Sequence, residues 1–181
     1  MGGGRNETMQ AEAASIETPA GLLGRLAGAG IEVRTVEHPA VFTVAESESV
    51  RDAMPGVHSK NLFLAPAKGD GPYALAVLEA ERKVSVNALA RAAGWGKVTM
   101  APAEALMATL GVTPGSVTPF GLVNAPPGSV RVMLDAALAE APDLAWFHPL
   151  VNTASVGIRP ADLLRFLNGL GHDVKVLRFD V

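Results

Sequence analysis

Two apolar runs constrain this chain most: SKNLFLAP at residues 59–66 and YALAVLEA at residues 73–80, separated by the turn-rich AKGDG. Runs of this length bounded by Gly, Pro and Asp predict a β-hairpin whose loop is somewhat longer than the tightest kind. In an extended SKNLFL, period-two alternation places Lys60, Leu62 and Leu64 on one face and Ser59, Asn61 and Phe63 on the other. Lys60 thus shares an apolar face, and burying an ammonium is unfavourable unless an acceptor or an anion meets it. One reading packs its stem on the leucines while the head snorkels to water. The other has the ammonium waiting for an anionic ligand, and the strand pattern leaves both open.

The rest of the chain supplies short elements around that hairpin. Thr18-Pro19 predicts a helix start, with Leu22, Leu23 and Leu26 as its apolar stripe and Gly28 and Gly30 as its end. IEVRTVEH alternates as a strand, and in TVAES Thr43 and Glu46 form a capping box for a helix reaching about Met54. Ser85 caps a helix through Ala92, KVTMA is a short strand, and Pro102 opens a helix ending near Gly111. TPGSVTPFGLVNAPPG is dense in Gly and Pro and predicts an ordered loop with room for a short strand. SVRVMLD, LAWFHPL, TASVGI and VKVLRFD read as strands, and RPADLLRFLNGLG as an amphipathic helix.

Short strands outnumber helices and no regular βαβ alternation appears. The expected fold class is therefore α+β, a mixed, mainly antiparallel β-sheet or partial barrel packed by helices. Residues 1–17, rich in Gly, Glu and Ala, are expected to be a flexible N-terminal segment, and residues 18–181 a single domain.

Composition narrows the function classes. With no cysteine, disulfides, thiolate zinc sites and a cysteine nucleophile are excluded, and a reducing cytoplasm fits. A net charge of -3 argues against a broad electrostatic grip on nucleic acid while leaving room for contact with one or two phosphates. No stretch is apolar enough to predict a membrane span, and the N-terminus carries neither a signal-peptide pattern nor a myristoylation motif.

The residues able to carry chemistry are few. Gly115 and Pro119 frame a G-x-x-x-P loop over Ser116, Val117 and Thr118, whose backbone N–H groups can meet a carbonyl or an oxyanion. Such turns are also common as plain structure. His148, between Phe147 and Pro149, can exchange protons near pH 7 or pack as a satisfied histidine. His38 has a similar His-Pro setting, so that dipeptide alone does not single out His148. His38, His58, His148 and His172 show no metal-ligand spacing, and Glu79 and Glu81 sit beside Arg82 and Lys83 as a solvated hairpin end. No G-x-S-x-G, H-E-x-x-H or Walker loop occurs.

Taken in order, EHPAVFTVAES, SKNLFL, PGSVTPFGLVN and FHPLVNTASVGI resemble the YbaK-like prolyl-tRNA editing family, and most closely its freestanding ProX-type members, over about residues 20–180. The resemblance implies a trans-editing hydrolase that deacylates mischarged tRNA(Pro), foremost Ala-tRNA(Pro), by attack of water on the aminoacyl ester. It carries catalytic roles onto Lys60, Gly115 and His148, and substrate contacts onto Asn61, Ser116, Val117, Thr118 and Pro119. It requires no metal or organic cofactor, takes the acceptor end of tRNA(Pro) as partner, and leaves delivery by prolyl-tRNA synthetase open. Two other functions compete: a non-catalytic nucleic-acid-binding module built on cations such as Lys60, Lys68, Arg82 and Arg91, and a sensor of an amino acid or aminoacyl adenylate.

Overall fold

The computed structural model describes residues 15–40 and 44–179. Most of the lead-in expected at residues 1–17 lies outside them, as does the Thr43 cap. Helix α1 (Pro19–Gly28) starts as the sequence predicts: the Thr18 hydroxyl accepts the Gly21 N–H at 3.0 Å, and Leu22 and Leu26 are buried. The chain continues through β1 (Val33–Glu37), α2 (Val44–Ala53), the hairpin β2 (Val57–Pro66) and β3 (Ala74–Glu79), then α3 (Val86–Ala93), β4 (Val98–Met100) and α4 (Ala103–Leu110). It ends with β5 (Arg131–Asp135), α5 (Ala136–Ala139), β6 (Ala145–Phe147), β7 (Ala154–Ile158), α6 (Pro160–Gly169) and β8 (Val174–Leu177).

These strands form a sheet of order β1-β7-β6-β2-β3-β5-β8, with β4 also paired to β2. The pairs β1/β7, β6/β7, β2/β3 and β2/β4 are antiparallel, whereas β2/β6, β3/β5 and β5/β8 are parallel. The fold is the expected α+β class with a mixed, mainly antiparallel sheet. One edge of β2 follows β3, while the other is shared in turn by β6 at Val57 and His58 and by β4 from Leu64 onward.

The core lies on both sides of the sheet. In β3, Leu75 and Val77 enter the larger cluster with Leu22, Phe63, Phe120 and Phe147, whereas Ala74, Ala76 and Leu78 enter a second with Leu64, Leu89 and Trp95. A strand buried on both faces must be apolar throughout, and ALAVL is.

Three local expectations need correction. Residues 113–128 contain no strand; they form two 3-10 turns, Pro114–Ser116 and Pro119–Asn124, because each proline lacks an N–H for a ladder and presets a helical φ. The strand read in LAWFHPL stops at Phe147, and Leu150 follows in the left-handed region at φ 70°, which turns the chain back. Helix α5 was not expected; the Asp135 carboxylate that ends β5 also accepts the Ala137 N–H at 3.0 Å and caps the helix.

Candidate active site

The turn between β6 and β7 gathers the polar groups. His148 leaves the end of β6, and its Nδ1 lies 3.1 Å from the Ala154 carbonyl oxygen, which can only accept. The hydrogen therefore sits on Nδ1, and in the neutral ring Nε2 is a bare acceptor. Burial is the main cause holding the His148 pKa below the ordinary histidine value; the Ala154 contact opposes it and nearby His38 adds to it.

Antiparallel pairing of β1 with β7 brings His38 alongside, its backbone N–H donating to the Thr153 carbonyl at 3.0 Å. The His38 ring places Nδ1 at 3.0 Å from the Pro39 carbonyl and Nε2 at 2.7 Å from Ser155 Oγ, and its centroid lies 6.3 Å from that of His148. From β2, the Ser59 hydroxyl donates to the Trp146 carbonyl at 2.8 Å. His58 Nε2 lies 3.0 Å from the Met54 carbonyl, and its ring stacks on Trp146 with centroids 6.4 Å apart. The Trp146 indole donates to the Pro55 carbonyl at 2.9 Å and lies across β7, where a Cβ on Gly157 would come within 2.9 Å of the ring. That close approach requires glycine at position 157. These side chains, with Arg51 at the rim, line a cavity of about 320 Å3.

The residues singled out from the sequence divide around this cavity. His148 lines it. Asn61 stands next to it through Ser59, its Nδ2 at 3.5 Å from Ser59 Oγ, while its Oδ1 is buried without a partner. Gly115 meets the β6–β7 turn: a Cβ there would lie 3.1 Å from the Asn152 amide nitrogen. Its φ is ordinary, so space and not conformation is what favours glycine. Ser116, Thr118 and Pro119 are buried in the loop, with Thr118 Oγ1 accepting the Phe120 N–H at 3.3 Å, and Val117 packs on the larger core cluster. Lys60 does not line the cavity; half-buried, it donates its ammonium to the Arg82 carbonyl.

Sequence reasoning passed over Ser59 and Ser155. The available signal for Ser155 was a lone polar residue inside the apolar run ASVGI. Among the described residues, no group of three or more His, Asp or Glu could hold a metal ion, and no helix is long and apolar enough to cross a membrane.

Fold and cavity together define a small α+β domain with a cavity lined by histidine, serine and tryptophan side chains beside the β6–β7 turn. The chain belongs to the aminoacyl-tRNA editing domain family, whose sequence profile matches residues 38–166. It is 38% identical over 170 residues to the bovine prolyl-tRNA synthetase associated domain-containing protein 1, covering 92% of this chain and 98% of that one. Similarity to the prolyl-tRNA editing protein ProX of Acetoanaerobium sticklandii is 31% over 147 residues, covering 81% of this chain and 88% of that protein. A crystal structure described as that of a candidate trans-editing enzyme for prolyl-tRNA synthetase superposes with a TM-score of 0.65 at 25% identity, covering 92% of this chain and all of the other.

Proposed function

We propose that this chain is a trans-editing hydrolase that removes the amino acid from mischarged tRNA(Pro), with Ala-tRNA(Pro) as its substrate. One observation carries the reading: the family match over residues 38–166 takes in Lys60 on β2 together with His38, His148 and the loop at Gly115, which come together beside the β6–β7 turn. An aminoacyl ester is already activated, so the protein need only position it and supply a few polar groups. His148 Nε2, a bare acceptor in a neutral ring, takes a proton from the attacking water. The loop backbone at Gly115 orients the ester carbonyl and meets the developing oxyanion. Asn61 adds a polar contact to the substrate, with Ser116, Val117, Thr118 and Pro119 shaping the loop. Lys60 exchanges the Arg82 carbonyl for a phosphate oxygen of the tRNA terminus, which it holds as a point charge. Pocket size excludes proline, whose extra methylenes meet a steric penalty that alanine does not. The reaction places the chain in the cytoplasm beside prolyl-tRNA synthetase.

The test is deacylation of tRNA(Pro) carrying Ala, Cys, Ser or Pro at equal protein concentration. Fastest release of alanine with proline spared is the expected pattern. Binding of tRNA or amino acid without turnover of any ester would overturn the hydrolase reading in favour of a binding module or sensor.

A further inference from the structure

The hydrogen atoms of the cavity's polar side chains share one property. Ser59 Oγ–H is spent on the Trp146 carbonyl at 2.8 Å, and the Trp146 indole N–H on the Pro55 carbonyl at 2.9 Å. Each of the three lining histidines has one ring nitrogen on a backbone carbonyl: His38 on Pro39, His58 on Met54 and His148 on Ala154. A carbonyl only accepts, so each of those nitrogens carries the ring hydrogen and the other nitrogen is an acceptor in the neutral ring. In His38 that acceptor lies 2.7 Å from Ser155 Oγ, so the Ser155 hydrogen is committed to it. The groups left to face a ligand are lone pairs: Ser155 Oγ, Ser59 Oγ, His58 Nδ1 and His148 Nε2. The guanidinium of Arg51 is the exception; it stands at the rim, mostly exposed, 3.7 Å from the Glu81 carboxylate.

Among the described residues, a cup of acceptor side chains with its own hydrogens turned inward suits a donor-rich ligand group and, Arg51 at the rim apart, has no side-chain hydrogen for a carboxylate or phosphate to accept. We propose that this cavity receives the α-ammonium group of the esterified amino acid, with Ser155 Oγ as its principal acceptor and His148 Nε2 left to the attacking water. The inference rests on the editing reading and deepens it: Ser155 becomes a substrate-reading residue, and a free amino group becomes a condition of recognition. His38 acts as a positioning residue that fixes the direction in which the Ser155 hydroxyl points.

The experiment compares alanyl-tRNA(Pro) with N-acetylalanyl-tRNA(Pro), in wild type and in Ser155→Ala. Acetylation should lower kcat/KM by about 10-fold or more, since hydrogen bonds to a charged group are the strong ones. Ser155→Ala should slow the alanyl ester more than the acetylated one and so shrink that ratio. Equal hydrolysis of the two esters by wild type, or an equal loss on both in Ser155→Ala, would overturn the inference and leave the hydrolase reading standing. A second measurement needs no turnover: L-alaninamide should shift the imidazole NMR resonances of His58 and His148, and isobutyramide, of the same shape without the ammonium, should not. Alaninamide binding without ester hydrolysis would sink the hydrolase reading alone; no response to alaninamide, or an equal response to isobutyramide, would sink the ammonium site.

Discussion

Replacing Asp135 by Asn should cost this protein a substantial part of its stability although the side chain lies outside the cavity. The carboxylate is 0% exposed and takes four donors: Arg82 Nε at 2.8 Å, Arg82 Nη2 at 3.1 Å, the Ala137 N–H at 3.0 Å and the Glu79 N–H at 3.2 Å. Burial pulls the Asp135 pKa upward, but the bonds from Arg82 and the two backbone N–H groups outweigh it and leave the pKa below the ordinary carboxylate value. Asn keeps the shape, removes the charge and can turn an NH2 toward a guanidinium that has no use for it. Losing one partner of a buried pair costs about 3–5 kcal/mol, and because Arg82 keeps some contact with water we take about 3 kcal/mol. For a chain of this size that is a fall in Tm of roughly 6–12 °C. Urea denaturation of wild type, Asp135→Asn, Arg82→Met and the double variant measures the effect. The double variant should be less destabilised than the sum of the singles by at least about 1 kcal/mol, since each single leaves a buried group unpaired. Additivity of the singles to within about 0.5 kcal/mol would refute the argument. The pH dependence gives a second check. A depressed folded-state pKa contributes stability above the unfolded-state value, and that stability disappears as pH falls through the folded value. Wild type should therefore lose more stability than Asp135→Asn between about pH 5 and pH 2.

Lys60→Ala should reduce deacylation by at least about 10-fold with little change in urea midpoint, because a charge-assisted contact to phosphate is lost while the stem's packing is only trimmed; a folded variant with wild-type turnover removes Lys60 from the site. Gly115→Val should lose about 10- to 100-fold in kcat, since its side chain would crowd the Asn152 amide and displace the loop backbone, whereas Ser116→Ala should keep most activity. Equal, near-normal rates in both would make the loop structural punctuation. Activity should rise with pH as His148 loses its proton, with a midpoint below the ordinary histidine value and its full level reached by neutral pH. A midpoint above pH 7 in kcat/KM, or a low-pH limb that survives His148→Gln, would show that another group is responsible.

The local grammar of the sequence was readable where one residue decides the outcome. Thr18 and Ser85 cap helices α1 and α3 as their chemistry predicts, and alternation sends Leu64 to one core cluster and Phe63 to the other. The parallel neighbours of β2, β3 and β5 were not readable, because those pairings join segments far apart in sequence, and a strand buried on both faces such as β3 carries no directional signal. At the site, the sequence could place His148 and His38 on the same footing, and the fold brings both into one cavity. From the sequence Ser59 was only a residue on the face opposite Lys60, and the junction of β2 with β6 reveals that its hydroxyl lies against the Trp146 carbonyl.

That shared edge of β2 has a practical consequence for anyone modifying the protein. Three partner strands lock residues 57–66 against sliding, so a single inserted residue there would exchange the two faces and send Lys60 inward among the side chains now beside Phe63. The exposed tip at Lys68–Pro72 carries no such constraint, and a fluorophore, crosslinker or affinity peptide spliced into it would ride outside the sheet with the strand's alignment preserved.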